Sequence, residues 1–549
     1  MSHWRRHYSI NDTSVAVIIG GAYGCMDLDA QHDRNMGESM MGLHQQGRRV
    51  WSFTRLLIVG SACVVTASLL HSQQTSQLTI NWGKTMVVSR SVPMLQVVVN
   101  PPLRPGGALS APSYKAVKDL GADYVRYVPW LPYPKLAVAE LEPPTPQHTS
   151  WDFSLIDPMT KDFLAATEGH PTVMNFSTIP AWIFKTDKPV PYPAEPNQVT
   201  WDYTQGTELR DSSGKELGDY YSRLVGWYVN GGFTDENGVR HQSGYHYKFP
   251  VWEVLNEPEF EHATTPEQYT QRYDAIVEGV RRVSPETKFM GMALAMPARN
   301  PHYFEYFLDP ANHKPGIPID YISYHFYAVP TRQQTIEDWQ YTYFDQADGF
   351  LTAVRYIESI RKHLSANTKT DADELGVICA NDPGPGEPGQ VKHPIPPAYW
   401  NLAGSLYAYL YIELSRLQID IIGESQLVGY PTQFPSVSMM NWTNNMPNAR
   451  FWVLKLIKDA FHPGDTLVET ALGGAHAEDV AAQAFITPSG HKLLLVNKRD
   501  HTIEIALPDV DKASAMTVDE ETGDGPARNV KTTNGSISLE PFAVTVVSW

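Results

Sequence analysis

Cysteine is nearly absent, with three in 549 residues, at Cys25, Cys63 and Cys379. So few exclude a disulfide framework and a cysteine-based metal centre. Two of them precede the region that reads as folded. Cys379 follows a strand pattern, where a small buried residue is expected. Runs of Lys and Arg are also missing, and the formal net charge is −17. That excludes a nucleic-acid surface and disfavours sulfated or strongly acidic polymers as partners. The one long apolar run, LLIVGSACVVTASLL at 56–70, has 15 residues, fewer than the ~20 of a membrane span.

That run follows Arg48, Arg49 and Arg55, and its length and basic flank match a signal-peptide core. Residues 1–80 are therefore set aside as a leader, with an uncleaved membrane anchor as the alternative. A signal peptide implies a secreted or periplasmic location, an anchor a membrane-bound chain with its catalytic domain outside the cytoplasm, and contact with a membrane is expected only through such an anchor. The depth of the run within the chain suits translation from Met40 or Met41.

What remains is globular in composition, at 42% hydrophobic and 19% charged, and rich in aromatics at 11%. From residue 93, short apolar runs alternate with helical patterns. Strands are expected at 95–100, 122–130, 171–182, 249–258, 288–297, 319–330, 370–378 and 420–430. Helices are expected near 113–120, 153–167, 219–229, 265–283, 335–364, 397–417 and 448–461. Thr265, Pro266 and Glu267 supply a helix start. Eight strands alternating with helical patterns fit an α/β fold, a (β/α)8 TIM barrel over 93–464. An open doubly wound sheet shares the alternation, but the count favours the barrel. Beyond 465 the period falls to two, broken by Gly, Asp and Pro turns. This predicts a small C-terminal all-β sandwich over 465–549, joined by strands from 78–92. GPGEPG at 384–389 satisfies a phosphate-loop pattern, but its two prolines and the lack of a following helix exclude one.

In such a barrel, function sits at the C-terminal ends of the strands. Strand four, within VWEVLNEPEF (251–260), ends on Asn256-Glu257-Pro258. Strand seven ends on Asp373-Glu374. Strand six carries His325 and Tyr327, strand two Arg126, and strand three Asn175 with Trp182 beyond it. Two carboxylates from opposite sides of a barrel are what glycoside hydrolysis requires: one protonated for the leaving oxygen, one ionised for the anomeric carbon or a water. Asn256 is placed to hydrogen-bond a sugar hydroxyl. Trp182 and Trp442 suit either a sugar platform or the core.

WEVLNEP resembles the acid/base motif of retaining (β/α)8-barrel glycosidases. With Pro129-Trp130, IPAW at 179–182, SYHFY at 323–327 and a β-rich C-terminal domain, the chain is similar over 93–549 to glycoside hydrolase family 39, the β-xylosidase and α-L-iduronidase group. The resemblance implies Glu257 as acid/base and Glu374 as nucleophile. The stretch TDADELG departs from the family's usual Thr-Glu-aromatic, which leaves Glu424 in IIGESQ as a rival. It further implies a β-xylosidase-like exo-glycosidase acting on a glycoside or oligo- or polysaccharide, without cofactor or metal. A non-catalytic carbohydrate-binding barrel is the alternative.

Other side chains are expected to support the fold. Glu253 shares strand parity with Glu257 and is expected to pair with a cation such as Arg126. His325 can hold a carboxylate or bind substrate, with no second His at ligand spacing. Asp371 and Asp373 are expected to be local structure, and Glu259 solvated beyond the site. Adjacent residues of a regular strand point to opposite faces. Asn256 and Glu257 can therefore share one site only if the backbone is irregular just before Pro258.

Overall fold

The computed structural model describes residues 76–200, 206–331, 333–379, 382, 395–429, 434–508, 513–533 and 535–549. Residues 1–75 of the leader, Cys25, Cys63 and GPGEPG lie outside the described residues, whereas residues 76–80, set aside with the leader, belong to a strand of the β domain. Eight parallel strands close into a barrel: β1 Val92–Val98, β2 Val125–Val128, β3 Thr172–Met174, β4 Val251–Glu253, β5 Lys288–Leu294, β6 Tyr321–Ala328, β7 Lys369–Val377 and β8 Ile421–Glu424. Each pairs with its neighbours in sequence, and β8 closes on β1 through Ile421 opposite Val92. The expected order holds, but β2, β3, β4 and β8 are much shorter than their apolar runs. The ladder occupies only part of each run. The rest continues past the barrel rim as buried loop, where the site is built.

Helices pack outside the strands. Pro266–Arg281 opens with a capping box, in which Thr265 and Gln268 exchange side-chain-to-backbone hydrogen bonds. Ile336–Leu364 and Pro397–Arg416 are the longest. Among the described residues, no helix is long and apolar enough to cross a membrane.

The barrel interior is layered. Met94, Val173, Val251, Met290, Tyr321 and Ile421 form one apolar cluster. Six strands of a closed barrel can meet in one cluster only inside it, and these residues lie early in their strands. They plug the N-terminal end. Above them the interior turns polar, with Gln96, Arg126, Glu253, Ser323, His325 and Asp373 all buried. A polar layer this deep is stable only if its members pair with each other.

The strand Ser76–Val88 does not join the barrel. It pairs antiparallel with Thr466–Gly473 and, at its start, parallel with Ile503–Ala506. The β domain is one hydrogen-bonded series of nine strands. Leu78, Val468, Leu493, Leu495, Ile505, Ile537 and Val547, from central and outer strands alike, share one core, so the sheet folds over itself. The period-two pattern has an apolar residue on both faces here. Leu493 and Leu495 enter that core, while Leu494 and Val496 join the core of the barrel. Phe461, just beyond the last barrel helix, packs on Phe485 of the sheet at 4.3 Å between ring centres.

Candidate active site

The ladder of β4 ends at Glu253. Leu255 and Glu257 then adopt left-handed backbone, at φ 65° and 42°. Each such non-glycine residue costs about 1 kcal/mol or more. The result is that the pleat is broken, and Asn256 and Glu257 line the same cleft. The Glu257 N–H donates to the Ala293 carbonyl at 3.0 Å, which holds the turn against β5. Pro258 then starts a one-turn helix, Pro258–Glu261.

A second irregularity serves β7. Its pairing with β6 shifts register between Asp371 and Glu374, and its pairing with β8 between Ala372 and Leu375. The bulge lets Asp373 and Glu374, adjacent in sequence, both meet Arg126. Two residues further, a Cβ on Gly376 would lie 2.9 Å from the Tyr327 ring. Only glycine lets that ring cross β7 so that its hydroxyl donates to Glu374 Oε2 at 2.7 Å.

Glu374 is held from three sides. Arg126 Nη1 donates to Oε1 at 2.5 Å, Gln96 Nε2 donates to the same oxygen, and Tyr327 takes the other. Glu257 Oε1 lies 3.0 Å from His325 Nδ1. Burial raises the Glu257 carboxyl above its usual range, against the His325 hydrogen bond, which lowers it. Burial also opposes charge on His325, but Glu374 and Asp373 outweigh it and raise the imidazole well above its ordinary value. Donor atoms of Glu257, His325 and Glu374 all lie within 4.8 Å of one another. These three could offer ligands to a metal, yet each already has a protein partner: Glu257 and His325 bind each other, and Glu374 is gripped by the Arg126 cation.

Arg126 anchors the layer below. Fully buried, it donates from Nε to Glu253 Oε2 at 2.5 Å and from Nη2 to Asn256 Oδ1 at 2.8 Å, and lies 3.1 Å from Asp373 Oδ2. Glu253 also accepts from Ser323 at 2.5 Å and Asn175 at 2.6 Å. Burial outweighs its bonds to Arg126 and lifts it to about 7.

The cleft is lined by Gln96, Trp130, Asn256, Glu257, Tyr327 and Glu374 among others. His325 and Arg126 lie directly beneath its carboxylates. Asn175, Trp182 and Trp442 are not among its lining residues. Asn175 supports Glu253 and the Leu255 carbonyl. Trp182 donates to the Glu140 carbonyl at 2.8 Å with Arg210 over its ring, and Trp442 meets Trp400 edge-on. Among the described residues, the tryptophan that lines the cleft is Trp130. Glu424 is fully buried against Arg450 at 3.1 Å and also lies outside the lining.

Asp373 is structural as expected, buried beneath the cleft against Arg126 and, at 3.5 Å, His325 Nε2. One expectation needs correction. Glu259 is not solvated. Its Oε1 accepts from the Met296 N–H at 3.0 Å, and burial lifts it to about 7. Gln96 and Glu261 were missed. Gln96 stands in the middle of an apolar run, and one polar residue there was the available signal. Glu261, one turn past Glu257, accepts from Trp130 Nε1 at 2.8 Å and Asn256 Nδ2 at 2.9 Å. Burial pushes it up to about 8.

A family model described as Glycosyl hydrolases family 39 matches residues 230–369. The match holds Asn256, Glu257, His325 and Tyr327, and ends five residues before Glu374. A second model, described as D-apionate lactonase, C-terminal immunoglobulin-like domain, matches residues 477–547. No curated protein matches this chain in sequence. Among solved structures, a GH51 arabinofuranosidase from Xanthomonas axonopodis pv. citri is similar at TM-score 0.56 and 12% identity, over 86% of this chain and 99% of that one. A glucosidase from Croceicoccus marinus follows at 0.53 and 14%, over 86% and 98%. A GH30 endoxylanase from Clostridium papyrosolvens C71 stands at 0.52 and 13%, over 86% and 99%. At these identities the likeness is one of fold. The chain is thus similar to family 39 glycosidases in its barrel and carries an immunoglobulin-like β domain.

Proposed function

We propose that the protein is a retaining glycoside hydrolase. One observation carries this reading: carboxylate oxygens of Glu257 and Glu374 approach within 4.8 Å across the cleft. Retaining enzymes keep their carboxyl groups about 5–5.5 Å apart, whereas inverting ones need about 6.5–9.5 Å to admit a water. In the first step a Glu374 oxygen attacks the anomeric carbon. The glycosidic C–O bond breaks, and Glu257 gives its proton to the departing oxygen. In the second step Glu257 takes a proton from water, the water oxygen bonds to the anomeric carbon, and Glu374 leaves. Gln96, Arg126 and Tyr327 orient the nucleophile, and the raised Glu257 carboxyl suits an acid.

The substrate class is a β-xylosidase-like glycoside cleaved in an exo manner. The leader, with its basic flank and apolar core at 56–70, supports action outside the cytoplasm, which fractionation would test.

Two experiments decide the roles. Glu257→Ala should lose turnover of natural glycosides yet regain it on an activated aryl glycoside when azide is added. No rescue on a substrate that the wild type cleaves would count against the acid/base role. A fluorosugar that traps the glycosyl-enzyme should label the peptide carrying Glu374. A label on Glu424 would overturn that assignment, and sugar binding without any turnover would favour a non-catalytic barrel.

A further inference from the structure

At the edge of the β domain, far in sequence from either carboxylate, three metal-type donors converge. His476, Asp479 and His501 offer atoms that all lie within 4.8 Å of one another. Nδ1 of His476 stands 3.1 Å from Asp479 Oδ2. Two ligands each ~2.0–2.2 Å from a tetrahedral ion are themselves about 3.4 Å apart. An ion can therefore replace the shared proton of this pair with little movement. His501 is half exposed, so its ring can swing inward without displacing packed atoms.

The donors are fixed from behind. Asp479 Oδ1 accepts from Arg499 Nε at 2.6 Å, which leaves Oδ2 as the outward oxygen. The Asp479 carbonyl accepts from the Lys498 N–H at 2.9 Å. The His476 N–H donates to Ser76 Oγ at 3.2 Å. The His501 carbonyl accepts from the fully buried Asn497 side chain at 2.8 Å. His501 Nδ1 lies 3.4 Å from Asp500 Oδ1, which would hold that nitrogen protonated and leave Nε2 to ligate. Carboxylates behind ligating imidazoles and donors behind ligating carboxylates are the usual supports of a metal site. The Arg499 charge weakens affinity for the ion and is the cost of that support.

We infer that His476, Asp479 and His501 form a surface site for a divalent transition ion, with Zn²⁺ the best match. Two imidazoles and one carboxylate favour late first-row ions over Ca²⁺ or Mg²⁺, whose ligands are oxygens. Water fills the remaining positions. The site joins three segments: the loop before Val480, the turn after Asn497, and Ser76, where the first strand enters the sheet. Its role is a clip on that entry point, independent of the barrel carboxylates.

The test uses the full chain, free of any affinity tag and stripped with a chelator. Titration with ZnCl2 by calorimetry should show one site, and CoCl2 should give visible ligand-field absorption. His501→Ala, a change at an exposed side chain, should weaken binding by about tenfold or more and abolish the zinc-dependent rise in melting temperature. Glu374→Gln should leave both intact, which separates this site from the cleft. Equal zinc affinity in wild type and His501→Ala, or no binding by the wild type, would overturn the inference.

Discussion

Asp373 Oδ2 lies 3.5 Å from His325 Nε2, on the opposite edge of the imidazole from Glu257, which meets Nδ1 at 3.0 Å. One buried ring thus links the bulge of β7 to the acid at the end of β4. Its charge follows from its neighbours, since Glu374 and Asp373 together hold the imidazole proton well above its ordinary range despite burial.

Asp373→Asn keeps the shape and removes that charge. The folded pKa of His325 is raised, so its protonated form persists to higher pH than in a free imidazole and is lost only as pH rises through the raised value. With the charge gone, the loss comes earlier. The basic limb of kcat/KM should move to lower pH. An unchanged profile would remove Asp373 from the positioning of His325.

Gln96 donates to the nucleophile oxygen from β1 and lines the cleft. Hydrogen bonds to charged groups contribute about 1.5–3 kcal/mol. Gln96→Ala should therefore lower kcat/KM on an aryl glycoside by roughly 10- to 100-fold, with little change in melting temperature. A loss confined to stability would make Gln96 purely structural.

Glu140 is fully buried, and burial raises it from the usual 4.5 to about 8. Between those values the folded chain holds a proton that the unfolded chain releases, so stability falls as pH rises across that window. Glu140→Gln mimics the protonated form. It should match the wild type near pH 4 and exceed it at pH 8 by roughly 1–3 kcal/mol, read by denaturant melts at each pH. Parallel curves would refute the burial argument.

Arg450 satisfies Glu424 and also binds the carbonyls of Val437 and Ser425. Arg450→Met should destabilise by about 3–5 kcal/mol, because a buried acid is left alone. Adding Glu424→Gln should recover part of that loss. If Glu424→Gln alone abolished turnover while leaving stability intact, Glu424 rather than Glu374 would be the nucleophile.

The alternation of apolar runs with helical patterns determined the barrel. Parallel strands must be apolar on both faces, and helices that cover them must carry an apolar stripe. That information is local, and so are Asn256-Glu257-Pro258 at a strand end and Thr265-Pro266 at a helix start. The sequence even required the backbone before Pro258 to break its pleat, since adjacent residues cannot otherwise share a site. It could not say how the break is made. Left-handed turns at Leu255 and Glu257 and the bulge at Asp371–Glu374 depend on what the neighbouring strands offer. Only the closed barrel brought Gln96 of β1 and Arg126 of β2 to Glu374, from strands whose spacing carries no mark of their meeting. Only packing drew Trp182, Trp442 and Glu424 to other partners, because a side chain's role follows from the atoms around it, and those come from distant parts of the chain.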